Sequence, residues 1–303
     1  MTTEDARPRV LLAIGETMAM VAPVSKERLT EASDFHVDAG GAESNVAAHV
    51  ASFGHRARWF SRLGDDALGR RVVRQLTARG VDVSSVVFDA AHPTGVYFKD
   101  PGQGVLYYRA GSAASHLSAA DVAGVDFDDV AILHVSGITA AISDSAAAFL
   151  DAVIARARAA GVRVSFDVNH RASLWAAAVA AEPLAVLARR ADVVFVGRDE
   201  AENLWGTTDA ASVRTLFTDA GELVVKDGDV GATVFTAERT VFEPARTVEV
   251  VEAVGAGDAF AGGYLAAVLE GASLEDRLRR GHHRAALTLQ TTSDSVDERM
   301  ELG

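Results

Sequence analysis

Apolar residues follow two rhythms along this chain, and the rhythms alternate. Short, nearly continuous apolar runs read as buried strands: "RVLLAIGE" (9–16), "RARWFSRLG" (56–64), "VAILHVSG" (130–137), "VRVSFDVN" (162–169), "DVVFV" (192–196) and "ELVVKDG" (222–228). Between them lie stretches with helical spacing at 41–54, 66–80, 145–160, 174–190 and, more briefly, 199–205. The first of these, "GAESNVAAHVASFG", stops at Gly54, a residue suited to closing a helix. Strands that alternate with helices of this length predict an α/β fold with a mostly parallel sheet covered on both faces. After 228 there is no room for crossover helices, so "ATVFTA" (232–237) and "TVEV" (247–250) are expected to turn antiparallel. Helices at 256–270 and 274–290 then close the fold.

Two regions break the alternation. Residues 17–39 contain Pro23 and lack a helical period, while 83–110 read as the short strands "SVVF", "TGVYFKD" and "GVLYYR", the last two joined at "PGQG" (101–104). They are either long surface loops or a small β-sheet lid over the strand ends. The lid reading divides the chain into a main α/β domain (9–16, 40–82 and 111–303, nucleotide site in its C-terminal half) and a lid (17–39 and 83–110).

The chain has 303 residues, near the limit of a single hydrophobic core, and no cysteine, which excludes disulfides and thiol chemistry. No apolar run reaches membrane-spanning length, and "MTTEDARPRVLLAIG" is acidic before it is apolar, unlike a secretory signal, so a cytoplasmic location is expected. The formal net charge is −13, and of the basic residues only Lys26, Lys99 and Lys226 are lysines. Nothing here forms the basic field that nucleic acid requires. If the ligands are anionic, a few individual cations must do the local work.

Three glycine clusters compete for a phosphate-binding role. "DAGGAES" (38–44) lacks dinucleotide spacing, and "GDDALG" (64–69) fits a turn. "GAGD" (255–258) leads straight into a helix, which offers backbone N–H groups to an anion; a tight turn with helix packing is the simpler alternative. Asp258 repels the anion such a helix end invites, although it is also an ordinary capping choice. The combination makes sense where a phosphoryl group passes while the aspartate removes a proton.

Two arginines are candidate ligand contacts. In a strand, Tyr107 and Arg109 share one face, and Arg109 could grip a carboxylate with its fork or lie solvated at the surface. Arg171, in "FDVNHRASLW" (166–175), follows an apolar strand on the side where parallel sheets bind ligands.

"GGAESNVA" (40–47) and "AVGAGDAFAGGYLAAVLEG" (253–271) resemble the N- and C-terminal signatures of the PfkB, or ribokinase-like, carbohydrate kinases, and the likeness runs essentially end to end. It implies a three-layer α/β/α main domain with a β-sheet lid. It also implies ATP as phosphoryl donor, Mg²⁺ on the phosphates and possible K⁺ dependence. "YYRAGSAASHL" and "DVNHRASLW" look like segments of the family's 2-keto-3-deoxygluconate kinases. On that resemblance Gly40 and Asn45 contact sugar hydroxyls, and Tyr97, Tyr107, Arg109 and Arg171 hold the acid end. Asp258 acts as base, with the amides of Gly255, Ala256 and Gly257 as anion hole. Lys226, Gly228, Gly255, Gly257 and, at the adenine, His282 attend the nucleotide, while Glu200 serves the metal. A homo-oligomer formed through the lid sheet is a further expectation, since open sheet edges pair readily.

Some positions depart from the pattern. Glu252–Ala253 stands where an acidic–threonine pair is usual, Gly197 replaces an asparagine in an Asn-x-x-Glu motif that keeps Glu200, and His282 replaces an asparagine. These lie around the nucleotide and its ions, which leaves a catalytically impaired sugar-acid binding protein as an alternative. A fructokinase or other neutral-sugar kinase is the nearer one. Seven histidines, His36 to His170, lack metal-ligand spacing, and there is no G-x-S-x-G elbow to suggest a serine hydrolase.

Overall fold

A computed structural model describes residues 9–25 and 27–291. The acidic N-terminal stretch, Lys26 and the last residues assigned to the main domain (292–303) lie outside the described residues. Among the described residues one sheet carries nine strands, in the spatial order Thr240–Pro244, Gly231–Phe235, Glu222–Asp227, Val193–Gly197, Arg163–Asp167, Val130–Ser136, Val10–Ile14, Arg56–Phe60 and Val81–Asp82. From Glu222–Asp227 to Val81–Asp82 neighbouring strands are parallel, and the two strands beyond Asp227 are antiparallel.

The central strands are apolar throughout because both faces are covered. In Val10–Ile14, Leu11 and Ala13 enter one core and Leu12 and Ile14 the other. Helices Ala42–Ser52, Ala67–Ala78, Ala256–Leu269 and Leu274–Leu289 cover the first face, and Asp144–Ala159, Ala177–Ala188, Arg198–Trp205 and Ala210–Leu216 the second. The result is the three-layer α/β ribokinase-like fold. Among the described residues no helix is long and apolar enough to cross a membrane.

A four-stranded sheet stands beside this body as a lid, in the order Phe35–Gly40, Met18–Pro23, Val96–Asp100 and Gly104–Tyr108. It draws on both segments that break the helix–strand alternation. Met18, Met20, Ala22 and Tyr97 form its own small core, while Leu106 and Tyr108 are exposed.

Two expected strands behave differently. "SVVF" leaves the lid: Val87–Asp89 pairs with Arg62–Gly64 in a separate two-stranded sheet, because the strand Arg56–Phe60 is interrupted at Ser61 and Arg62–Gly64 leaves the main sheet. "TVEV" forms no strand; the sheet edge is Thr240–Pro244 instead. Thr247 and Val250 are exposed, so no burial stabilises an extended pairing there, and Pro244 suits an edge that ends.

Candidate active site

The helix Ala256–Leu269 is apolar on every side and buried from Ala259 to Leu269. Gly262 lets it approach the helix Ala42–Ser52: a Cβ there would lie 2.4 Å from the Cβ of His49. One turn earlier on each helix, Asn45 and Asp258 meet, and the Asn45 side-chain N–H donates to Asp258 Oδ2 over 3.0 Å. Two glycine-rich segments far apart in sequence thus become adjacent through close helix packing.

Gly255 starts the second helix with φ +83°, a left-handed conformation that favours glycine, and offers no side chain to cap the helix. The Ala256 N–H donates to the Ala253 carbonyl at a long 3.4 Å, and the other first-turn N–H groups are available to an anionic ligand. Asp258 stands in that turn. Its carboxyl edge meets the cavity while protein surrounds it elsewhere, and this burial pushes its pKa up to about 7. The Asn45 hydrogen bond and the Arg171 charge oppose the rise, and Asp167 adds to it.

Lys226, near the end of the strand Glu222–Asp227, donates to Asp167 Oδ2 at 2.9 Å. Its Nζ would lie 3.6 Å from a Cβ on Gly257, so the ammonium stands beside the start of the helix Ala256–Leu269. Burial disfavours its charge, but Asp167 and Glu200 outweigh that and raise its pKa. Glu200 accepts the N–H of Gly197 at 3.1 Å and that of His170. Burial, then the nearby Asp167 charge, push Glu200 up to about 7, against Lys226 and the two backbone donors.

These groups line one cavity of about 620 Å³ at the C-terminal ends of the parallel strands, with the lid as its other wall. Among the predicted residues, Gly40, Asn45, Tyr97, Tyr107, Arg109 and Arg171 line it, as do Glu200, Lys226, Gly255, Gly257 and Asp258. Tyr97 and Tyr107 are cross-strand partners with rings 5.8 Å apart, and the Arg109 guanidinium lies 5.4 Å from the Tyr107 ring centre. A side chain at Gly40 would collide with the Tyr97 hydroxyl at 2.0 Å. Arg171 is exposed on the wall and makes no ion pair among the described residues; its Nη1 reaches only its neighbour's carbonyl, His170 O, at 3.5 Å.

Ala256, Gly228 and His282 are not on the lining. Ala256 is the first residue of the helix, and Gly228 occupies the turn after Asp227 with φ +49°. His282 is buried: its Nε2 lies 3.0 Å from the Glu243 carbonyl, and its ring meets Phe260 edge-on.

The sequence reading did not single out Glu16, Asp167, Asn169, Asp199 or Asn203, all of which line the cavity. Asp167 and Asn169 flank the end of an apolar parallel strand, a position that marks them as ligand-facing. Asn169 also holds a left-handed backbone at φ +42°, uncommon for a residue other than glycine. The Glu252 carboxylate serves its own turn, accepting the N–H groups of Ala253 at 3.0 Å and Val254 at 3.2 Å.

Among the described residues no cluster of three or more His, Cys, Asp or Glu could hold a metal by itself. A magnesium ion carried on nucleotide phosphates needs only one or two carboxylates, and Glu200 and Asp199 on the wall fit that requirement. Lys226 and the uncapped helix end fit the phosphates.

A family model described as pfkB family carbohydrate kinase matches residues 9–299. The chain is 37% identical over 294 residues to a 2-dehydro-3-deoxygluconokinase of Bacillus subtilis, covering 93% of this chain and 90% of that one. It superposes on a PfkB protein from Polaromonas sp. JS666 with TM-score 0.85 and 35% identity, covering 93% and 96% of the two chains. A fructokinase double mutant from Vibrio cholerae O395, solved with fructose, ADP and a potassium ion, gives TM-score 0.83 and 25% identity over 96% of each chain. With a match of that extent over this fold and cavity, the chain belongs to the pfkB family of carbohydrate kinases.

Proposed function

We propose that this chain uses ATP to phosphorylate the terminal hydroxyl of 2-keto-3-deoxygluconate or a close keto-deoxy sugar acid. The observation that carries the reading is Arg171, a cation on the cavity wall without an ion-pair partner among the described residues, placed to influence Asp258. A carboxylate on the substrate would satisfy it, whereas a neutral sugar would not. The similarity to a 2-dehydro-3-deoxygluconokinase supports the same substrate class.

Asp258 accepts the hydroxyl proton as the sugar oxygen bonds to the γ-phosphorus. The bridging P–O bond breaks, and its electron pair leaves on ADP. The amides at Gly255, Ala256 and Gly257, with the Lys226 ammonium, stabilise charge on the transferring group. Glu200 and Asp199 would hold a magnesium ion arriving with the phosphates, whose positive charge would ease the transfer. The lid carrying Tyr97 and Tyr107 excludes water, and Tyr97, Tyr107, Arg109 and Arg171 orient the acid end.

A fructokinase is the second reading, favoured by one observation: Arg109 already has an internal carboxylate partner in Glu16, so this arginine does not demand an acidic substrate. ADP release with ATP and Mg²⁺ tests both, comparing 2-keto-3-deoxygluconate, its galactonate epimer, fructose and ribose, with and without K⁺. Turnover confined to the keto acids supports the proposal, and turnover of fructose alone replaces the substrate. Keto-acid binding without any turnover would leave a sugar-acid binding protein.

A further inference from the structure

The lid joins the body at Met18, Gly40, Val96 and Tyr108, and the residues just beyond the last three of these ends, Gly41, Gly95 and Arg109, approach Glu16. Its carboxylate is buried, with the side chain 1% exposed. Oε2 accepts from Nε of Arg109 at 2.6 Å, and the Arg109 Nη2 lies against the same oxygen as an ion-pair contact. Oε1 accepts from Ser112 Oγ at 2.6 Å. A Cβ on Gly95 would stand 3.1 Å from Oε1, and one on Gly41 would stand 2.4 Å from the Glu16 carbonyl oxygen. Each crossing between lid and body therefore touches this one residue.

We infer that Glu16 is a positioning residue for the sugar acid, holding the Arg109 guanidinium so that its remaining N–H groups serve the cavity. The inference rests on the substrate reading above. One edge of the planar fork is consumed by Glu16, which leaves the other edge for a ligand in a fixed direction. The pair is close to neutral, so Arg109 contributes directional hydrogen bonds and Arg171 the attracting charge. Glu16 also sets a limit on the substrate: a carboxylate approaching the consumed edge would meet a second carboxylate and be repelled. Selectivity at this wall then depends on where the anionic group lies as well as on its presence.

The test is a double-mutant cycle with Glu16→Ala and Arg109→Ala, measured on the keto acid and on fructose. Glu16→Ala should raise KM for the keto acid roughly tenfold to a hundredfold, as expected for losing a charge-assisted bond, with kcat within about threefold. Its effect should be largely absent once Arg109 is alanine, since neighbours acting as a unit are not additive. Glu16→Gln can still accept from Arg109 and donate to Ser112, and should recover most of the lost affinity. Glu16→Asp keeps the charge but cannot span both partners; it gives the same readout if the alanine variant does not fold. Additive KM effects, or an equal loss of kcat on every substrate, would overturn the inference. Wild-type turnover is read first: fructose without keto acid would defeat the substrate reading itself, whereas keto-acid turnover with additive variants defeats this inference alone.

Discussion

The side-chain amide of Asn45 donates to the carboxylate of Asp258 over 3.0 Å, although the two are 213 positions apart in the chain. The pairing follows from the close approach at His49 and Gly262, one turn further along the same helices. It orients the carboxylate beside the helix start and partly offsets the burial that raises its pKa.

Asp258→Asn should lower kcat by about two to four orders of magnitude, the usual worth of a positioned base, while nucleotide affinity stays near wild type. Steady-state kinetics beside calorimetric ADP titration checks the split. Equal losses in both would assign Asp258 to nucleotide binding.

The acid limb of kcat/KM should lie near pH 7, because the base must be ionised and Asp258 holds its proton up to about 7. Asn45 lowers that pKa, so Asn45→Ala should move the limb to higher pH. A pH–rate profile that is flat from 5 to 8 would contradict this assignment.

Stability should change with pH in the opposite sense. Burial raises Asp258 to about 7 from an ordinary 3.8, and raises Glu43, fully buried in the first turn of Ala42–Ser52 and accepting from Ser136 and Thr139, to about 6 from 4.5. The folded chain binds more protons across that window, so stability declines as pH rises through it. Asp258→Asn removes one of these buried charges. Its gain in Tm should be greater at pH 8 than at pH 5, by roughly 2 °C or more, in paired thermal scans.

Lys226→Met leaves the carboxylate of Asp167 without its ammonium partner, with the Asp167 side chain only 5% exposed. The loss should be about 3 kcal/mol, toward the low end for a buried pair because the lysine side chain is 20% exposed. Adding Asp167→Asn should restore much of the stability, read from urea midpoints. Turnover should stay low, since the cation beside Gly257 is still missing.

At a pH well above the acid limb, Arg171→Ala should raise KM for the keto acid about tenfold or more and leave fructose unaffected, because the lost bond is to a carboxylate. It should also shift the acid limb upward, since the Arg171 charge lowers the Asp258 pKa. A uniform change across substrates would place Arg171 with the phosphates instead.

The succession of strands and helices was legible because it depends on local spacing: each apolar run must bury itself, and its period shows how. The uncapped helix start was legible for a similar reason, since a left-handed Gly255 and a first-turn aspartate are features of one short segment. Edge elements were less so. Whether "SVVF" joined the lid, or "TVEV" joined the sheet, depended on which partner strand was within reach.

The pairing of buried charges lay wholly beyond the sequence. Arg109 read as a cation seeking a substrate carboxylate, and the fold supplies Glu16; Lys226 read as a nucleotide contact, and the fold also pairs it with Asp167. Glu16 and Asp167 lie at the ends of apolar strands, where sequence shows a carboxylate but not what faces it. Only tertiary structure decides that, because a buried charge is stabilised by groups that chain crossings deliver from far away, and its energy depends on distances that local spacing does not encode.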